Sequence, residues 1–126
     1  MEFVIGTPEV SADDRGYFVE AELRFGGTSP SLWFRVPFEF RPDETAIGDA
    51  FLASMLPVAM ARGEKVVIEA PVSARLLDSL GKIQDIYAGW YPEVLRRVDI
   101  SPAAVRSLPV TGTGTLSTFT GGVDSF

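Results

Sequence analysis

The chain predicts an α+β fold: a small antiparallel sheet built around a β-hairpin at about residues 17–40, and two main helices at about 44–62 and 73–89. Three observations carry this. Two runs of strict apolar alternation flank a short Gly-rich segment. Two longer runs carry apolar residues at helical spacing. The composition, 46% apolar and 22% charged over 126 residues, suits one buried core.

The first run is Tyr17 to Phe25. Tyr17, Val19, Ala21, Leu23 and Phe25 fall on one face, and Glu20, Glu22 and Arg24 on the other. A period of two is the mark of a half-buried strand. Gly26-Gly27-Thr28-Ser29-Pro30 is a turn cluster. The alternation then resumes with Leu32, Phe34, Val36, Phe38 and Phe40, with Arg35 and Glu39 opposite. Strand, tight turn and strand make a hairpin. Pro37 lacks a backbone donor, which places that end at a sheet edge or just past the paired region. Met1 to Ile5 is a further strand candidate.

Asp43-Glu44-Thr45 can open a helix, since short oxygen-bearing side chains accept the free N–H groups of a first turn. Ile47, Phe51, Met55 and Val58 follow at helical spacing. Pro57 is expected to kink or end the helix, and Arg62-Gly63 to stop it. Val66-Val67-Ile68, within Lys65 to Glu69, reads as a short buried strand. Ser73 is the cap of a second helix, with the stripe Leu76, Leu80, Ile83 and Tyr87 and an end near Gly89. Gly81 costs this helix about 1 kcal/mol relative to Ala, less than the stripe recovers. Arg97 to Ile100 is a short strand candidate. Ser101 to Pro109, rich in Ser, Pro and Ala, reads as a linker with a single helical turn at Ala103 to Arg106. Thr115-Leu116-Ser117-Thr118-Phe119 again favours a strand, through its β-branched residues.

Charge and composition exclude several classes of function. The net charge is −6, from 11 basic and 17 acidic residues. A surface that grips nucleic acid needs a basic excess, so no direct nucleic-acid binding is expected of this segment. Cys and His are both absent. Zinc fingers, cysteine nucleophiles and His-based triads are therefore excluded. The start lacks a signal-peptide pattern, and the apolar stretch from Phe51 to Ala61 is too short to span a membrane. A cytoplasmic location is the expectation.

Several residues outside the C-terminal region invite a functional reading and have a simpler one. Asp13-Asp14-Arg15-Gly16 begins like an acidic calcium loop but lacks the remaining ligands, so a solvated turn is expected. Trp90-Tyr91-Pro92 is either an aromatic patch for a partner or, more commonly, a helix-end anchor packed on the sheet. Arg96-Arg97 is expected at a solvated strand edge. Met55 and Met60 read as core packing. Glu64, Glu69 and Asp78 show no paired spacing of an acid/base couple.

The chemistry-bearing motif is at the C-terminal end, Thr120-Gly121-Gly122-Val123-Asp124-Ser125, directly after the Thr115–Phe119 strand. Two consecutive glycines let the backbone approach a ligand closely. A loop between a strand and a helix N-terminus aims several N–H donors at one point, with the helix dipole in support. The Thr120 and Ser125 hydroxyls can donate to phosphate oxygens, and Asp124 suits Mg²⁺. This pattern resembles the PP-loop of the N-type ATP pyrophosphatases, the adenine nucleotide alpha-hydrolase-like enzymes, whose signature is Ser-Gly-Gly-x-Asp-Ser. Thr120 replaces the leading Ser and keeps its hydroxyl. Residues 1–110 are also loosely similar to the N-terminal region of bacterial proteins related to 7-cyano-7-deazaguanine synthase, through Ala50-Phe51-Leu52, Ala70-Pro71-Val72-Ser73 and the Ile83-Gln84 helix.

The resemblance implies ATP cleavage between the α and β phosphates and adenylation of a substrate, with Thr120, Gly121, Gly122, Asp124 and Ser125 as the phosphate-binding residues and Asp124 as the Mg²⁺ residue. It implies ATP and Mg²⁺ in the intact protein, with none expected to be bound to this segment alone. It divides the chain into an N-terminal α+β domain, residues 1–108, and residues 109–126 as linker, first strand and phosphate loop of a truncated α/β PP-loop domain. The rest of that domain, beyond Phe126, is the implied partner, and a homodimer is a further possibility. On this reading the segment alone is inactive and serves substrate recruitment, capping or dimerisation. The competing readings are a non-catalytic binding module with an incidental Gly-, Thr- and Ser-rich tail, and a stand-alone phosphate-binding protein.

Overall fold

The computed structural model describes residues 1–107. The elements run β1 (Glu2–Ile5), β2 (Glu9–Asp13), β3 (Gly16–Arg24), β4 (Ser31–Val36), α1 (Ile47–Arg62), β5 (Lys65–Ser73), α2 (Ala74–Trp90) and β6 (Ile100–Arg106). The α+β class stands. The six-stranded sheet is mixed, however. β3 pairs antiparallel with β1, β2 and β4, whereas β5 lies parallel to both β1 and β6.

β1 and β2 follow one another along the same edge of β3, and β4 takes the opposite edge. Adjacent β3 residues show the two directions: the Gly6 N–H donates to the Glu22 carbonyl at 2.7 Å, and the Leu23 N–H donates to the Pro30 carbonyl at 2.7 Å. The hairpin forms as its alternation predicts. Its second strand ends at Val36, just before Pro37, so Phe38 and Phe40 leave the ladder and are largely exposed. Pro37 explains the stop, because it offers no N–H to extend the pairing.

One face of the sheet is the core. Phe3 and Ile5 of β1, Val19, Ala21 and Leu23 of β3, and Val66, Ile68, Ala70 and Val72 of β5 are buried with Phe51, Leu52, Leu56, Ala59 and Met60 of α1 and Leu80 of α2. Both helices therefore cover the same face. Each fully buried Leu, Ile or Phe contributes about 1.5–3 kcal/mol.

α1 differs from its sequence reading in three ways. It begins at Ile47, after an Asp43–Thr45 turn, and Ala46 gives it no side-chain cap. Its buried side takes in Leu52, Leu56 and Met60 beside the expected Phe51, with Ile47 and Met55 packed against the core, while Val58 is exposed. It also continues through Pro57 to Arg62. A helix apolar around most of its circumference offers more than one stripe, and contact with β5 selects among them. Proline inside a helix costs about 3 kcal/mol, which burial of Leu56, Ala59 and Met60 on either side outweighs. Gly63 ends the helix as expected, in the left-handed conformation at φ 66°.

β5 is longer than the Lys65–Glu69 segment read from sequence. It absorbs Pro71 at a bulge: the four β5 residues Ile68 to Pro71 lie against the three β6 residues Pro102 to Ala104. Gly48 of α1 rests on this bulge, where a Cβ would meet the Pro71 carbonyl oxygen closer than the 3.0 Å that real Cβ atoms essentially never breach. α2 is capped by Ser73 as expected and ends at Trp90, one residue past Gly89.

The largest correction concerns Ile100–Arg106. This stretch is neither a linker nor a helical turn but β6, parallel to β5. The strand expected at Arg97 to Ile100 begins only at its last residue. The Asp99 carbonyl accepts the Val66 N–H at 2.8 Å. Alternation from there turns the Pro102 nitrogen to the side away from β5, so that side of β6, the sheet edge among the described residues, lacks a donor at that point.

Candidate functional site

Thr120, Gly121, Gly122, Asp124 and Ser125, together with the Thr115–Phe119 strand, lie outside the described residues. β6 ends at Arg106, opposite Ser73 at the end of β5, so the chain leaves from the carboxyl end of the parallel strands. In sheets with parallel strands and covering helices, that end is where ligand sites gather.

The corner at this end is closed by its own side chains. Asp49, in the first turn of α1, accepts the Ser73 N–H at 2.8 Å on Oδ1 and the Ser73 hydroxyl at 2.7 Å on Oδ2. Ser73 Oγ in turn accepts the Leu76 N–H at 3.1 Å. A carboxylate of the chain thus joins the first turns of the two helices, where free N–H groups favour negative charge. Nearby, Asp43 Oδ1 accepts the Thr45 hydroxyl at 2.7 Å and the Thr45 N–H at 2.9 Å. These bonds hold the Asp43 carboxyl below its ordinary range, with a smaller contribution from the positive charge of Arg106.

The sheet face opposite the helices is polar, and no described helix covers it. Thr7, Glu9, Glu20, Glu22, Arg24 and Glu69 surround a basin of about 370 Å³. Arg24 pairs with Glu69 and, at 3.3 Å, with Glu22. Glu69 holds the guanidinium above its ordinary pKa, mainly through the hydrogen bond between them. Toward the β4 edge the same face carries an aromatic ledge: Phe18 stacks on Trp33 at 5.4 Å, with Arg35 above Phe18 at 5.4 Å. Trp33 is 54% exposed. Arg35 also pairs with Asp13 and is the main cause of that carboxyl's lowered pKa, followed by the Arg15 N–H.

A second concavity, of about 360 Å³, opens between β4 and α1. Val19, Phe34, Val36, Ile47 and Phe51 line it, with Phe40 and Pro42 at its rim. Phe34 meets Phe51 edge-on at 5.2 Å. No group of three or more Asp or Glu side chains among the described residues is arranged to hold a metal ion.

The other residues singled out by sequence divide as follows. Asp13 sits in the expected turn, with Oδ1 accepting the Arg15 N–H at 2.8 Å. Met60 is fully buried and Met55 packs beside the core. Trp90 and Tyr91 are not an anchor on the sheet; they are 70% and 55% exposed at the end of α2. Arg96 and Arg97 occupy the α2–β6 connection rather than a strand edge, and Arg97 donates to the Gly81 carbonyl at 2.8 Å. Glu64 is buried with Arg62 at 2.9 Å, and Asp78 pairs with Lys82 at 3.4 Å. None of these carboxylates faces another as an acid/base couple does. Asp49 and the Phe18–Trp33 ledge escaped the sequence reading. An acidic residue in a first helical turn was the available signal for Asp49, and the even-numbered side of the hairpin alternation for Phe18.

Comparison with family models, with curated proteins and with solved structures finds no match to this chain.

Proposed function

We propose that this chain is the leading part of a PP-loop ATP pyrophosphatase that adenylates a substrate and releases pyrophosphate. One observation carries the reading: Thr120-Gly121-Gly122-Val123-Asp124-Ser125 directly follows a β-branched apolar run. In the proposed reaction a substrate oxygen attacks the α phosphorus of ATP. The bond to the β-phosphate oxygen breaks, and pyrophosphate departs with its electron pair. The backbone N–H groups of Gly121 and Gly122, with the Thr120 and Ser125 hydroxyls, would hold the departing phosphates. Asp124 would bind Mg²⁺, which neutralises charge on those oxygens.

On this reading residues 1–107 are not the catalytic part. Among the described carboxylates, Asp13, Glu64 and Glu69 pair with arginines, Asp78 with Lys82 and Asp49 with Ser73, and the chain contains no Cys or His. The domain would recruit substrate, cap the active site or mediate dimerisation. Adenine recognition would come from βα units following the loop.

A second reading, a non-catalytic binding module, is favoured by the exposed Phe18–Trp33 ledge beside an acidic basin. Product analysis separates the two. The intact gene product is incubated with ATP, Mg²⁺ and the small-molecule fraction of a cell extract as the source of acceptor. AMP and pyrophosphate, lost on Ser125→Ala, support the enzyme. Formation of ADP and phosphate, or AMP formation indifferent to Ser125, removes it.

A further inference from the structure

We draw no further inference here: the strongest candidate, the apolar cleft between β4 and α1 lined by Val19, Phe34, Val36, Ile47 and Phe51, carries nothing because no feature of the structure shows what covers it.

Discussion

Replacing Gly48 with Ala sets two opposing effects against each other. Alanine is the better helix former by about 1 kcal/mol, so the change favours α1 locally. The new methyl group would collide with the Pro71 carbonyl oxygen and press on the Ala70 side chain at 3.3 Å. Pro71 sits in the β5 bulge, held between α1 and β6, so its carbonyl cannot swing aside without disturbing the ladder. Overpacking of this kind costs about 1–3 kcal/mol. The steric effect wins, and Gly48→Ala is expected to destabilise the domain by up to about 2 kcal/mol net. Gly81 of α2 is the internal control. A Cβ there meets nothing nearer than an Arg97 nitrogen at 3.7 Å, an ordinary contact. Gly81→Ala is therefore expected to stabilise by about 0.5–1 kcal/mol. Urea unfolding of residues 1–107, followed by far-ultraviolet circular dichroism, reads both changes as shifts in midpoint at constant slope. A Gly48→Ala midpoint equal to or above the parent's would refute the close approach of α1 to the bulge.

Three further outcomes follow from the same geometry. Asp49→Ala leaves the Ser73 N–H without its acceptor and uncouples the two helix starts, at an expected cost of about 2–3 kcal/mol in the same unfolding assay; a cost within error of zero would contradict that coupling. Pro57→Ala supplies the N–H that the Ala53 carbonyl lacks in a helix that already runs through this position, and is expected to raise stability by about 1–3 kcal/mol; a fall would mean that packing of the proline ring matters more. Arg35→Ala is expected to raise the Asp13 pKa toward the ordinary aspartate value of about 3.9, as read by carboxyl-carbon NMR titration. Because the folded-state pKa is depressed, this pair's stabilisation is present above that ordinary value and is lost as pH falls through the folded-state pKa. An unchanged Asp13 titration in the variant would remove Arg35 as the cause.

The features legible in the sequence were those with local causes. Val19, Ala21 and Leu23 alternate with Glu20, Glu22 and Arg24, and that pattern alone orients β3. Ser73 before a helical stripe, and Gly63 after one, mark helix ends through single hydrogen bonds and a single backbone conformation. β6 was not legible, because Ile100–Arg106 becomes a strand only by pairing with Val66–Ser73, some thirty residues earlier, and Pro102 argues locally against it. Likewise α1 has too many apolar residues for periodicity to identify the face that β5 contacts. The polar basin joins Glu9, Glu22 and Glu69, which no sequence spacing connects. The proposed phosphate loop differs in kind: its reading rests on residue type and order from Thr120 to Ser125.

The central claim is that this loop holds the phosphates of ATP, and binding tests it without knowledge of the acceptor. Calorimetric titration of the intact gene product with Mg²⁺–ATP should show one site per chain. Asp124→Ala should weaken that binding at least about tenfold, a loss of about 1.4 kcal/mol. No binding at millimolar Mg²⁺–ATP, or binding that Asp124→Ala leaves unchanged, would contradict the assignment.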